Sequence, residues 1–171
     1  MIAEREPALQ AEDAGTMEAL YRRHAPDARR LAFLITGDQA LAQDLAHDAF
    51  VRVAGRLHDL RDPEAFGAYL DRTVTNLAIS HFRRRKVERA HGWVDPATLS
   101  TPGHAAQIDA REALRVALCR LSPRQRSAIV LRFYLDTPDR EVARILRCRP
   151  GTVRSLISRG LAELRQEVDH E

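Results

Sequence analysis

An all-α fold is predicted by three features of the 171-residue sequence: abundant helix formers, few strand formers, and apolar residues recurring at helical spacing. Alanine and arginine occur 26 times each, whereas aromatic residues make up only 5%. The helical pattern fails once, near the middle of the chain, so two small helical domains joined by a flexible linker are expected.

Residues 1–15 are polar and largely acidic and are expected to form an N-terminal tail. From Thr16 to Thr36, Met17, Leu20, Tyr21, Leu31, Leu34 and Ile35 supply an apolar edge. Pro26 is expected to kink or break this run, because proline lacks the N–H that a helix interior uses. Gly37 ends it, and Asp38 is placed to cap a second helix with Leu41, Leu45, Ala49, Phe50, Val53 and Leu57 inward. The other face, with Gln43, Asp44, His47 and Asp48, is mildly acidic; as a bare pattern it is a solvated surface. A third helix is predicted from about Glu64 to Lys86, with Phe66, Tyr69, Leu70, Val74, Leu77, Ala78 and Phe82 inward. It finishes in RRRKVER. One or two cations would satisfy the negative end of a helix dipole, but the consecutive bases Arg83 to Lys86 repel one another unless a polyanion is near.

Between residues 87 and 108 the periodicity stops, and GWVDPATLSTPGH gathers glycine and proline among small polar residues. Such a stretch is a linker between domains that can move relative to each other. Beyond it, from 109 to 168, Leu114, Leu118 and Leu121 predict a helix, and Ser122-Pro-Arg-Gln125 has the form of a capping box that starts another. Ile129, Val130 and Phe133 are expected to pack inward.

Thr137 to Leu164 then has the spacing of a helix-turn-helix. Thr137 is placed to cap its first helix, with Pro138 at the first helical position and Val142, Ala143 and Leu146 apolar. The second helix begins near Pro150, and Val153, Leu156, Ile157, Leu161, Leu164 and Val168 form one stripe. That stripe leaves Arg154, Ser155, Ser158 and Arg159 outward, a face suited to major-groove edges and phosphates. A solvated helix carries arginines too; the tight turn favours the DNA-reading alternative.

The formal net charge of +3 decides little, because local basic faces matter more for polyanion binding. No run approaches the roughly 18 apolar residues of a membrane span, so no membrane insertion is expected. Cys119 and Cys148 form no CxxC pair, which fits a reducing cytoplasm, and the seven histidines show no metal-ligand spacing. Neither a metal nor a cofactor is expected.

The order and spacing of LYRRHAPDARRLA, DLAHDAFVRV, FGAYLDRTVTNLAISHFRRR, LSPRQRSAIVLRFY and GTVRS resemble bacterial RNA polymerase sigma factors. The likeness is to the extracytoplasmic-function (ECF) group of the sigma-70 family and spans about residues 16 to 165. It implies region 2 at 16–86 and region 4 at 109–168, in a non-enzymatic subunit that docks on core polymerase, recognises promoters and helps melt the duplex. Gln43, Asp44, His47 and Asp48 match the family's docking surface for the clamp helices of the largest polymerase subunit. Asn76 matches the residue that contacts an unstacked base of the minus-ten element. His58, Asp59, Leu60 and Arg61 match the loop that shapes the flipped-base pocket, and Arg83 and Arg84 match backbone contacts. Leu60 stands where many relatives carry an aromatic, and Ser80 where they often carry Asp.

Arg154, Ser155 and Arg159 match the face that reads the minus-thirty-five element, and Ser158 lies on it. Arg147 replaces a Gly usual at the turn, where positive φ is wanted; Arg149 replaces a Ser cap; Leu156 replaces an Arg. The partners implied are core polymerase, promoter DNA and an anti-sigma factor. Two rivals stay open. An autonomous helix-turn-helix regulator would need a sensor or dimerisation domain before residue 100, and a polymerase-binding helical adaptor would leave Arg154 and Arg159 unused.

Overall fold

The computed structural model describes residues 17–56, 65–90 and 110–168, and its elements in these stretches are helical. Helices α1 (Met17–Thr36), α2 (Gln39–Ala54) and α3 (Phe66–Ala90) form a first unit. Helices α4 (Ala110–Arg120), α5 (Pro123–Ile129), α6 (Asp139–Leu146) and α7 (Pro150–Val168) form a second. The expected tail and the segment 91–109 lie outside the described residues.

In the first unit, α1 runs unbroken through Pro26. Pro26 is exposed, so water can serve the carbonyl whose helical donor is missing. Gly37, at φ +73°, turns the chain out of α1 while its N–H bonds to the Phe33 oxygen at 2.7 Å. The Asp38 carboxylate then accepts from the Leu41 N–H at 3.0 Å and caps α2 as expected. Leu31, Ile35, Phe66, Leu70 and Val74 are fully buried between the three helices, each contributing on the order of 2 kcal/mol. Phe50 joins them, its ring edge-on to Tyr21 at 4.9 Å and to Phe66 at 5.6 Å. Tyr69, expected inward, is 51% exposed. Phe66, Leu70, Val74 and Ala78 form a stripe four residues apart that is too narrow to include it. The helix also continues four residues past Lys86, to Ala90.

In the second unit, the capping box forms in both directions. The Gln125 N–H donates to Ser122 Oγ at 3.3 Å, and the Ser122 N–H to Gln125 Oε1 at 3.0 Å. Helix α5 then widens into a π turn over Val130–Tyr134, closed by the Leu135 N–H on the Val130 oxygen at 3.3 Å. The wider turn shifts the register, so Phe133 swings out to 61% exposure instead of packing inward. Leu114 is likewise exposed, and Leu118, with Leu121 just past the end of the helix, carries the packing of α4. Helix α6 starts one residue later than expected. Pro138 takes the cap position with extended ψ, the Thr137 side chain makes no cap, and the Thr137 N–H bonds to the Leu131 oxygen at 3.0 Å. Leu131, Val142, Leu146 and Val153 form the centre of this core.

The two units pack against each other. Val130 and Leu135 reach the core of the first, while Ile79 of α3 packs on the core of the second.

Candidate functional site

The helix-turn-helix is built on a left-handed residue. Arg147, at φ 50° and ψ 56°, closes α6, and the Cys148 N–H returns to the Ala143 oxygen at 2.9 Å. The Arg149 oxygen accepts from Thr152 and Val153 N–H at 2.9 and 3.2 Å and launches α7. Val153 is fully buried, with Leu156 and Ile157 half-buried beside it, so Arg154, Ser155, Ser158 and Arg159 face solvent together. Arg154 Nε lies 4.0 Å from Asp139 Oδ2, and the side chain is three-quarters exposed. Such a screened pair leaves it free to meet another anion. Arg159 Nε donates to the Ser155 oxygen at 3.2 Å, and Ser155 Oγ donates to the Gly151 oxygen at 3.1 Å. Leu156 packs on the core and serves the fold.

On α3, Arg72, Asn76, Ser80, Arg83 and Arg84 are all exposed and recur at helical spacing along one face. Thr75, fully buried, sits behind Asn76 and fixes which side turns outward. Arg72 escaped the sequence reading, though it stands one turn before Asn76. Its Nη1 lies 3.6 Å from Glu141 Oε1 of α6, which brings the second unit to the end of this face. His58, Asp59, Leu60 and Arg61 lie outside the described residues.

The exposed Gln43, Asp44, His47 and Asp48 of α2 face Tyr21, Ala25 and Arg29 of α1 across a shallow cavity of about 430 Å³. Helix pairing supplies Tyr21 and Arg29, and a single-helix pattern could not name them.

A residue that no motif signalled is Arg126 of α5, only 5% exposed. Its Nη2 donates to the Thr36 oxygen at 3.3 Å and its Nη1 to the Leu118 oxygen at 3.5 Å. The guanidinium carbon lies 5.8 Å from the Phe82 ring centre, and Nε has no partner. Burial lowers the pKa of this arginine, with Cys119 beside it acting in the opposite sense.

A helix-turn-helix unit behind a basic three-helix unit is the arrangement of promoter-recognition subunits, and sequence comparison agrees. Residues 20–88 match the family model Sigma-70 region 2, and residues 111–164 match Sigma-70, region 4. An RNA polymerase sigma-E factor of Streptomyces avermitilis is 35% identical over 143 residues, covering 82% of this chain and 78% of the relative. The ECF RNA polymerase sigma factor SigM of Mycobacterium tuberculosis is 30% identical over 154 residues, 90% and 78% of the two chains. The chain belongs to the RNA polymerase sigma factors of the sigma-70 family, in the ECF group. The sigma factor RpoE of Bartonella quintana, solved in complex with the anti-sigma factor NepR, shares the fold. Its TM-score is 0.66 at 23% identity, over 89% of this chain and 96% of that one. Among the described residues no helix is long and apolar enough to cross a membrane, and no His, Cys, Asp or Glu group could hold a metal ion.

Proposed function

We propose that this sigma factor grips promoters at two points, with region 2 taken as residues 16–86, a linker at 87–108 and region 4 at 109–168. The observation that carries the proposal is the pair of exposed faces, Asn76 with Arg83 and Arg84 on α3, and Arg154, Ser155, Ser158 and Arg159 on α7. The α3 face suits single-stranded minus-ten DNA: an amide both donates to and accepts from an unstacked base edge, and the arginines hold phosphates. The loop residues His58, Asp59, Leu60 and Arg61 complete the flipped-base pocket. Because Leu60 cannot stack as an aromatic does, that base is held less tightly, by about 1–3 kcal/mol. The α7 face reads the minus-thirty-five duplex. Gln43, Asp44, His47 and Asp48 dock on the polymerase clamp helices, with the Tyr21–Arg29 side of α1 lining the same cavity. The protein contributes no chemistry of its own, works in the cytoplasm and is held in check by an anti-sigma factor.

Reconstitution with core polymerase tests this. Asn76→Ala is expected to weaken open-complex formation without changing competition for duplex minus-thirty-five DNA, and Arg154→Ala to weaken that competition first. Equal effects of both variants in both assays would sink the division of labour. Tight promoter binding by the protein alone, without redirection of core enzyme, would favour an autonomous regulator.

A further inference from the structure

The two units meet around a cleft of about 830 Å³, a volume in the range of small-molecule sites. One wall comes from the end of α3 and contributes Arg83, Arg85 and Lys86; the facing wall, at the start of α5, contributes Arg124 and Arg126. Asp38 is the carboxylate among the lining residues, and its Oδ1 already accepts from the Leu41 N–H. Between the cations the surface is apolar, formed by Leu41, Phe82, Leu121 and Leu156.

Arg126 gives the cleft its direction. It is more than nine-tenths buried, and its guanidinium bonds to two main-chain oxygens and to the Cys119 side chain, with no carboxylate beside it. A buried cation without a carboxylate partner is costly, and its Nε–H has no acceptor. His81, lining the same cleft, also buries an Nε2 without a partner. Five cations beside an apolar wall define a ligand with one charged end and one greasy end.

We propose that this cleft between the units binds a small organic anion, a phosphate or carboxylate carried on an apolar body. The anionic group sits between Arg126, Arg124 and Lys86, and the apolar body lies along Phe82 and Leu156. A ligand held from both walls favours the packed arrangement of the units over any separated one. Arg83 stands in both the cleft and the proposed minus-ten face, so occupancy opposes promoter engagement. The binding site itself stands on the cleft's geometry and does not depend on the proposed DNA contacts.

Isothermal titration of the full chain with 1-naphthyl phosphate tests the site, with inorganic phosphate and 1-naphthol as the separate halves of that probe. One saturable site is expected, at least about tenfold tighter for 1-naphthyl phosphate than for either half. Lys86→Gln with Arg124→Gln changes two exposed side chains and is expected to weaken binding about tenfold or more, because it removes two of the five cations that line the cleft. Arg140→Gln, exposed on α6 and outside the cleft, is expected to change nothing. Arg126→Met is expected to abolish binding, and the exposed double variant decides the matter if Arg126→Met does not fold. Absence of saturable binding, equal affinity for inorganic phosphate, or unaltered binding by the double variant would overturn the proposal.

Discussion

Arg126 Nη2, in the second unit, donates to the main-chain oxygen of Thr36, in the first, across 3.3 Å. The acceptor sits at the end of α1, where Gly37 bends the chain away and leaves the Thr36 carbonyl facing α5. A left-handed turn and a buried arginine therefore belong to one joint.

That joint makes Gly37 sensitive. A Cβ there would lie 2.5 Å from Cys119 Sγ and 3.3 Å from Arg126 Nη1, on a backbone at φ +73°. Gly37→Ala is expected to cost about 1–3 kcal/mol, from the left-handed backbone penalty and the displaced neighbours. Urea denaturation checks this, and an unchanged midpoint would contradict the packing of the units.

Arg147 pays the opposite penalty, since it holds φ 50° with a side chain attached. Arg147→Gly is expected to stabilise the protein by about 0.5–1 kcal/mol, as the relief exceeds the added chain entropy. Thermal unfolding should show a higher midpoint; a lower one would mean that the arginine side chain holds the turn.

The two expected caps of region 4 separate in the structure, which gives a paired test. Ser122→Ala removes half of a reciprocal capping box and is expected to cost about 1 kcal/mol. Thr137→Ala removes a hydroxyl that caps nothing and is expected to stay within about 0.5 kcal/mol of the parent. Chemical denaturation of both variants makes the comparison.

Burial, with Asp27 nearby as a second cause, raises the Asp71 pKa from 3.8 to about 6. Between those values the folded chain keeps a proton that the unfolded chain releases, so this group's contribution to stability is lost as pH rises from about 4 to 6. Asp71→Asn should therefore flatten that slope and stabilise the protein at pH 7 by about 1 kcal/mol, after allowing for solvent screening of a partly exposed group. A pH series of denaturation midpoints decides it; an unchanged slope would count against the shift.

Features that depend on one turn of chain were visible in the sequence: the Asp38 cap, the Ser122–Gln125 box, the positive φ at Arg147 and the outward side of α7. Features that depend on register or on a second element were not. Phe133 looked like a core residue because the spacing from Ile129 assumes an α turn, and the π turn breaks that assumption. Tyr69 and Leu114 are apolar enough to suggest burial, yet each lies beside its stripe. Arg126 was hidden for the opposite reason: an arginine in a helix reads as surface until the neighbouring unit covers it.

The two oxygens that accept from the Arg126 guanidinium, at Thr36 and Leu118, belong to the main chain. Mutation at either position exchanges a side chain and leaves the acceptor where it was. The link between the halves can thus drift in sequence on its receiving side without weakening, and only changes at the arginine itself, or in the backbone path around Gly37, can abolish it. Natural variation in this protein is free to retune what each half contacts while the joint between them persists.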